Sequence, residues 1–176
     1  MKENNTLITQ ELIDTQSEYV YSIIDRKPKD VEEQKELYRN PIWRIGNLYW
    51  CIDGDSGSVI RFRPKPAQCV LLYWIYVLGR RRFVILKARQ LGFSTLIALI
   101  GLDETIFNKD TTFNICSHTE DSAKDLLREK VKFNLEKLPR AMLQSLDLEN
   151  SNQNELVFAD NWKIRSKVKV RSGTSQ

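Results

Sequence analysis

The stretch from Phe83 to Ile100 constrains the fold more than any other part of the chain. A short apolar run, Phe83-Val84-Ile85-Leu86, leads into Lys87-Ala88-Arg89-Gln90-Leu91-Gly92-Phe93-Ser94-Thr95, which runs straight into Leu96-Ile97-Ala98-Leu99-Ile100. This order predicts a buried strand over 83–87, a tight turn, and an apolar helix from Ser94 to about Asn108. Strand, glycine-containing turn and helix with a hydroxyl pair at its start form the context of a phosphate-binding loop. The usual pattern GxxxxGK[ST] is altered at two places: Phe93 stands where the lysine belongs, and Lys87 where the first glycine belongs.

The chemistry tolerates that exchange. A phosphate loop needs backbone N–H groups converging on anionic oxygens, a helix N-terminus behind them and one cation near the phosphates. Gly92 permits the turn beside Ser94, whose hydroxyl is placed to hold Mg²⁺. Lys87 has a stem long enough to reach the same phosphates from the strand end, and the Arg89 guanidinium suits bidentate pairing with a phosphoryl group. The competing reading is a strand-to-helix turn that is merely basic and small.

Composition supplies bounds. A chain of 176 residues with 41% hydrophobic and 28% charged residues has the size and balance of about one soluble globular domain. Cys51, Cys69 and Cys116 form an odd set without CxxC spacing, which predicts reduced thiols and a cytoplasmic setting. The longest apolar stretch, Cys69 to Leu78, is too short to span a bilayer, so no membrane role is expected. The net charge of +4 is unevenly spread: residues 40–89 hold nine basic and two acidic side chains, residues 90–154 seven and ten. Basic blocks flanking an acidic one suit polyanion contact at particular surfaces, or ordinary solvated surface.

Apolar spacing predicts a helix over 6–24 and a second from Asp30 through about Tyr38, stopped by Asn40-Pro41. A hairpin follows, with Trp43 to Ile52 and Val59 to Phe62 joined by the turn Asp53-Gly54-Asp55-Ser56-Gly57. That acidic turn has no Glu at the distal position of a calcium loop, so it is read as a turn. An apolar helix over 67–78 ends at Gly79. After the 83–108 unit come a strand at Thr112–Cys116 and a helix from the capping-box spacing of Ser117 to Glu120 as far as about Lys137. Ala123, Leu126, Leu127, Val131, Leu135 and Leu138 share its apolar side. The alternation predicts an α/β protein with a parallel sheet flanked by helices, carrying an N-terminal helical segment and a β-hairpin. The polar stretch 147–154 is expected to be a loop.

The tail from Leu156 reads as extended structure with a turn at Asp160-Asn161. Its cations Lys163, Arg165, Lys167, Lys169 and Arg171 are all odd-numbered, so one extended strand places all five on one face and Trp162, Ile164, Ser166, Val168 and Val170 on the other. The face is either a half-buried surface strand or a nucleic-acid stripe.

The segment Lys87–Thr95 resembles the variant Walker A loop of the large terminase subunit, the ATP-driven DNA-packaging motor of tailed phages, in which the lysine stands at the front of the loop. Pro66-Ala67-Gln68, about twenty residues upstream, is similar to the region of that family that reads adenine. Asn154-Glu155-Leu156-Val157-Phe158, leading on to Arg171-Ser172-Gly173-Thr174, resembles the segment before its Walker B strand. The likeness covers roughly residues 35–176 and implies an incomplete P-loop NTPase-like core over 41–176 behind a helical lead over 1–40.

The resemblance also implies roles. Lys87 would contact the β/γ phosphates, the backbone around Ala88 and from Gln90 through Leu91, Gly92 and Phe93 to Ser94 would cradle them, and Ser94, with Thr95 in reserve, would help hold Mg²⁺. Arg89 would be the catalytic arginine that neutralises transition-state charge, and Gln68 would meet the adenine edge of ATP. The family's Mg²⁺-holding carboxylate and its nuclease acids would lie past Gln176, so the chain is expected to be an ATP-binding fragment truncated before Walker B. Glu120-Asp121 is the internal substitute, but these acids stand where a helix cap wants them, and His118 reads as a loop or cap residue. The implied partners are double-stranded DNA, the portal protein and the small terminase subunit, with a five-membered ring only in the full-length motor, in the cytoplasm of a bacterial host. A non-enzymatic nucleic-acid-binding module using the 163–171 strand and Arg80-Arg81-Arg82 is the alternative. A helicase fragment is a third reading, disfavoured by the shifted lysine and Phe93.

Overall fold

The computed structural model describes residues 8–86, 91–159 and 165–172; of residues 159, 165 and 172 it describes the backbone only. The chain divides into two compact units, one of residues up to Gly46 together with Arg63–Leu91, the other of Asn47–Phe62 together with residues from Gly92 onward.

In the first unit, helices begin where a side chain satisfies the first free N–H groups. Thr9 Oγ1 accepts from Leu12 N (3.2 Å) at the head of α1 (Gln10–Ile24), so α1 starts there rather than at residue 6. Asp30 Oδ1 accepts from Glu33 N (2.8 Å) at the head of α2 (Val31–Arg39), as expected. Asn40-Pro41 does more than stop α2. Asn40 Oδ1 accepts from Ile42 N at 2.9 Å, Pro41 fits the first helical position, and a new helix α3 (Pro41–Asn47) follows. Trp43 therefore lies on a helix, not on the first strand of the hairpin.

The helix α4 (Pro66–Tyr76) packs along α1, with Val20, Ile24, Cys69 and Leu72 buried between them. Each of the larger aliphatic side chains contributes about 1.5–3 kcal/mol on burial. Polar ties fix the entry to α4: Tyr21 Oη donates to the Pro64 carbonyl (2.8 Å), Ser17 Oγ to that of Pro66 (3.2 Å), and Arg63 forms a two-pronged pair with Asp25 (2.7 and 3.0 Å). Gly79, at φ +65°, turns the chain out of the helix. Beyond it, Phe83–Leu86 is not the buried strand that its composition predicts. It forms no ladder, and Val84 and Leu86 are 91% and 94% exposed. A strand exists only with a hydrogen-bonded neighbour, and among the described residues this segment has none.

The second unit holds the sheet. A hairpin pairs β1 (Trp50–Ile52) with β2 (Val59–Arg61) around the expected turn, closed by Ser56 Oγ donating to Asp53 Oδ2 (2.7 Å). Helix α5 (Phe93–Phe107) is followed by β3 (Thr112–Ser117), then by a continuous helical stretch made of α6 (Glu120–Leu126), a π-helical segment (Leu127–Lys132) and α7 (Phe133–Glu136). Thr119, not Ser117, caps α6, its Oγ1 accepting from Ser122 N (3.2 Å). After α8 (Arg140–Ser145) come β4 (Asp147–Ser151), β5 (Glu155–Ala159) and β6 (Arg165–Ser172).

The four strands are ordered β3-β6-β5-β4. Among the described residues only β3 and β6 run parallel, while β6–β5 and β5–β4 are antiparallel, so the protein is α/β with a mixed sheet rather than the expected parallel one. Part of the stretch read as a loop is in fact the edge strand β4: its backbone finds the ladder of β5 although its side chains are largely exposed. Helices α5 and α6 lie against β3 and β6, burying Leu96, Leu99, Leu102, Ala123, Ile115 and Val168. A Cβ at Gly101 would run into the ring of Phe113, so that glycine sets how closely α5 approaches β3. No helix among the described residues is long and apolar enough to cross a membrane.

Candidate nucleotide site and basic sheet face

The start of α5 is built as the sequence predicts. Gly92 adopts the left-handed conformation (φ +69°, ψ +11°) that glycine adopts without strain, and its carbonyl accepts the first helical bond from Leu96 N (3.1 Å). Among the described residues no side chain caps this end, and the first turn carries no acid. The first N–H groups of a helix point outward with the positive end of its dipole, which suits an anion. Phe93, in the motif position of the lysine, is 7% exposed and belongs to the apolar side of α5 with Leu96 and Leu99. Its place in the loop is thus a packing role. Ser94 is exposed and Thr95 half-buried, so the hydroxyl assigned to Mg²⁺ is open to a ligand. Lys87, Ala88, Arg89 and Gln90 lie outside the described residues.

Upstream, Leu91 and Gln68 meet in the first unit. Gln68 is 2% exposed; its Oε1 accepts from Lys65 N (2.7 Å) and its Nε2 donates to the Leu91 carbonyl (3.0 Å). The amide that the terminase resemblance sets against an adenine edge bonds to backbone through both its oxygen and its nitrogen. A groove of about 510 Å³ along α1 lies elsewhere in that unit and is lined by Asp14, Glu18 and Asp25, charges that repel a phosphate. Nearby, burial foremost and then the Cys69 thiol push Tyr21 up to about 12, burial raises Cys69, and the Arg63 guanidinium holds the Asp25 carboxyl below the usual carboxylate range.

The cations of the tail alternate as period 2 requires. On β6, Ser166 and Val168 are buried on the helix side, whereas Lys167 and Lys169 are half-buried and Arg171 exposed on the opposite side. Their register partners on β3, Thr112, Asn114 and Cys116, share that face and are exposed. Lys169 is partly neutralised by Glu155 (3.4 Å), which Asn150 also holds (3.1 Å). Lys163 lies outside the described residues, and of Arg165 only the backbone is described. In the other unit Arg80, Arg81 and Arg82 are exposed, Arg80 lying 4.8 Å from the Trp74 ring centre.

Glu120 bridges Lys124 (2.7 Å) in the first turn of α6, where a cap-region acid belongs, and His118 is an exposed residue beside Ser117. Among the described residues no cluster of His, Cys, Asp or Glu is grouped to hold a metal ion. All three cysteines are free thiols. Sequence reading passed over two buried polar residues. Asp103, fully buried on α5, accepts from Tyr49 Oη (2.9 Å), and Asn134 accepts from Trp50 N (2.6 Å) while donating to the Lys130 carbonyl (2.8 Å). An acid after the apolar run Leu96–Leu102 was the available signal for Asp103. In comparisons with known proteins, no family model and no curated protein matches the chain.

Proposed function

We propose that the chain binds ATP with Mg²⁺ at the N-terminus of α5, as the nucleotide-binding part of a P-loop-type ATPase of the large terminase kind. The observation that carries this reading is the start of α5, which no side chain among the described residues caps. A left-handed Gly92, a buried Phe93 and an exposed Ser94 stand there, three residues and more beyond the cations Lys87 and Arg89 in sequence. Phosphate oxygens would accept from the free N–H groups of the first turn, and Ser94 would supply a hydroxyl to the metal. Lys87 and Arg89 would add charge-assisted bonds, Arg89 in the position of the arginine that neutralises charge during phosphoryl transfer. The remaining parts of the reading rest on resemblance alone: double-stranded DNA, the portal and the small subunit as partners, a ring as the working assembly, and the cytoplasm of a bacterial host as the setting.

Calorimetric titration with ATP·Mg²⁺ tests the site. Lys87→Ala should weaken binding roughly ten- to a hundredfold, the effect of losing a charge-assisted bond of about 1.5–3 kcal/mol. Equal binding by wild type and variant, or none by either, would remove the assignment. One further observation favours a second reading, contact with nucleic acid: Lys167, Lys169 and Arg171 stand on the sheet face turned away from α5 and α6, beside polar Thr112 and Asn114.

A further inference from the structure

We propose that residues 77–86, which follow α4, form a docking surface for an anionic lipid bilayer, with the arginines among the headgroups and Val84 and Leu86 at the edge of the hydrocarbon. The proposal is independent of the nucleotide reading, and all of its residues belong to the unit that holds α1 and α4.

Two kinds of exposed side chain meet in this short stretch. Val77 and Leu78 are exposed at the end of α4, and Val84 and Leu86 are almost free of protein neighbours. Between these pairs Arg80, Arg81 and Arg82 are exposed, and among the described residues none of the three forms an ion pair. No Asp or Glu stands between Asp55 and Asp103 in the sequence, so no acid close by along the chain offsets them. The stretch also has a fixed base. Gly79 turns the chain away from α4, and the Phe83 ring stacks on Trp74, which Arg80 covers as well. Phe83 and Ile85 are half-buried, so this alternate pair ties the stretch to its unit while Val84 and Leu86 stand outward.

Charge and apolar character together select the partner. Arginines alone suit any polyanion, but the phosphates of a nucleic acid would leave Val84 and Leu86 in water. Side chains this exposed stand out from the surface instead of lining a groove. A protein partner would have to supply a pocket for each, whereas a bilayer receives them without matched shape. Anionic headgroups lie directly above the hydrocarbon, so each kind of side chain meets its own layer, the arginine stems running along the apolar part with their guanidinium groups among the phosphates. Ten residues lie on such a surface and do not span it.

Flotation of the full chain with vesicles at low salt tests the surface, using phosphatidylcholine alone and an equal mixture of phosphatidylcholine and phosphatidylglycerol. The chain should float with the mixed vesicles and stay in solution beside the neutral ones. Changing Arg80, Arg81 and Arg82 together to Gln should weaken partitioning about a hundredfold, at about fivefold for each cation near the surface. Val84→Ser with Leu86→Ser leaves the charge unchanged and should weaken it by about a hundredfold as well, through the lost apolar burial alone. All five positions are exposed, and circular dichroism should show both variants folded like the wild type. A duplex oligonucleotide titrated in parallel separates the two polyanions. No flotation of the wild type, equal flotation with neutral vesicles, or wild-type flotation of the serine variant overturns the proposal. Duplex binding without flotation, kept by the serine variant and lost by the glutamine one, would overturn it in favour of nucleic acid.

Discussion

Phe83–Leu86 and Ser166–Val170 are both short alternating segments, yet one set of alternate residues is almost fully exposed in the first and buried in the second. In β6 the alternate residues Ser166 and Val168 are sealed under helices, and ladders run along both sides, to β3 and to β5. In the arm beyond α4 the alternation is also present, with Phe83 and Ile85 half-buried and Val84 and Leu86 open, but no ladder forms. Phe83 is held by stacking on Trp74 (centroids 6.4 Å apart, planes 16° apart), which anchors one side chain without pairing any backbone. The difference shows that side-chain composition prepares a strand and a neighbouring backbone makes it.

The largest test of this contrast is a pair of charge insertions. Val168→Asp places an unpaired carboxylate in a fully buried site and should cost about 3–5 kcal/mol in urea denaturation, enough to unfold the sheet unit. The double substitution Val84→Asp with Leu86→Asp should stay within about 0.5 kcal/mol, as an exposed site allows. A large loss from the double variant would mean that the arm is covered in solution, and the contrast would collapse.

A second test asks whether the outer face of β6 does something that the arm does not. Neutralising Lys167, Lys169 and Arg171 to Gln should flatten the salt dependence of duplex DNA binding. The slope of log K against log salt changes by about 0.9 for each phosphate that the protein ceases to neutralise. Because Lys169 is shared with Glu155, a change of about 2 is expected rather than the full value for three cations. Anisotropy titrations over a series of KCl concentrations give this slope, and an unchanged slope would remove the nucleic-acid reading of the face.

The smallest effect concerns the unit that carries the arm. Tyr21 ionises near 10 in an unfolded chain but is pushed up to about 12 here, where it faces Cys69, Arg63 and Asp25. The unfolded state therefore releases this proton first, and stability falls as pH rises from about 10 toward 12. The Cys69 thiol, also raised by burial, adds a decline of the same sign that starts at lower pH. Unfolding midpoints followed from pH 8 to 11.5 should fall, and Tyr21→Phe should leave only the thiol part; an equally steep fall in that variant would exclude Tyr21 as the source.

The elements that sequence predicted well are those decided locally. Asp30 caps α2 through a bond spanning three residues, Gly92 opens α5 within one turn, and Gly79 turns the chain out of α4. What escaped prediction depends on distant partners. Phe83–Leu86 has strand composition without a neighbour, while Asp147–Ser151 has loop composition and becomes β4 because β5 is beside it. The direction of pairing in the sheet escaped for the same reason. At the candidate site, the left-handed turn at Gly92 and the helix start beside it were readable from a short motif. The hydrogen bond from Gln68 to the Leu91 carbonyl was not, because nothing in the residues near position 68 announces an acceptor 23 positions away. The period of 2 in β6 was readable in advance because alternation survives whichever strands stand on either side.

The π-helical segment Leu127–Lys132 has a geometric consequence for the helix that carries it. The fully or nearly buried residues Ala123, Leu127, Val131 and Leu135 recur every four positions. In a regular α-helix each such step advances the stripe by about 40° around the axis, so after three steps it would have wound well away from the sheet. The wider turn takes up that drift and keeps the stripe straight. Asn134, next to the stripe at its far end, then holds Trp50 N of the hairpin. Deleting one residue from this segment would make the helix more regular and at the same time swing its last turn out of phase with both the sheet and the hairpin.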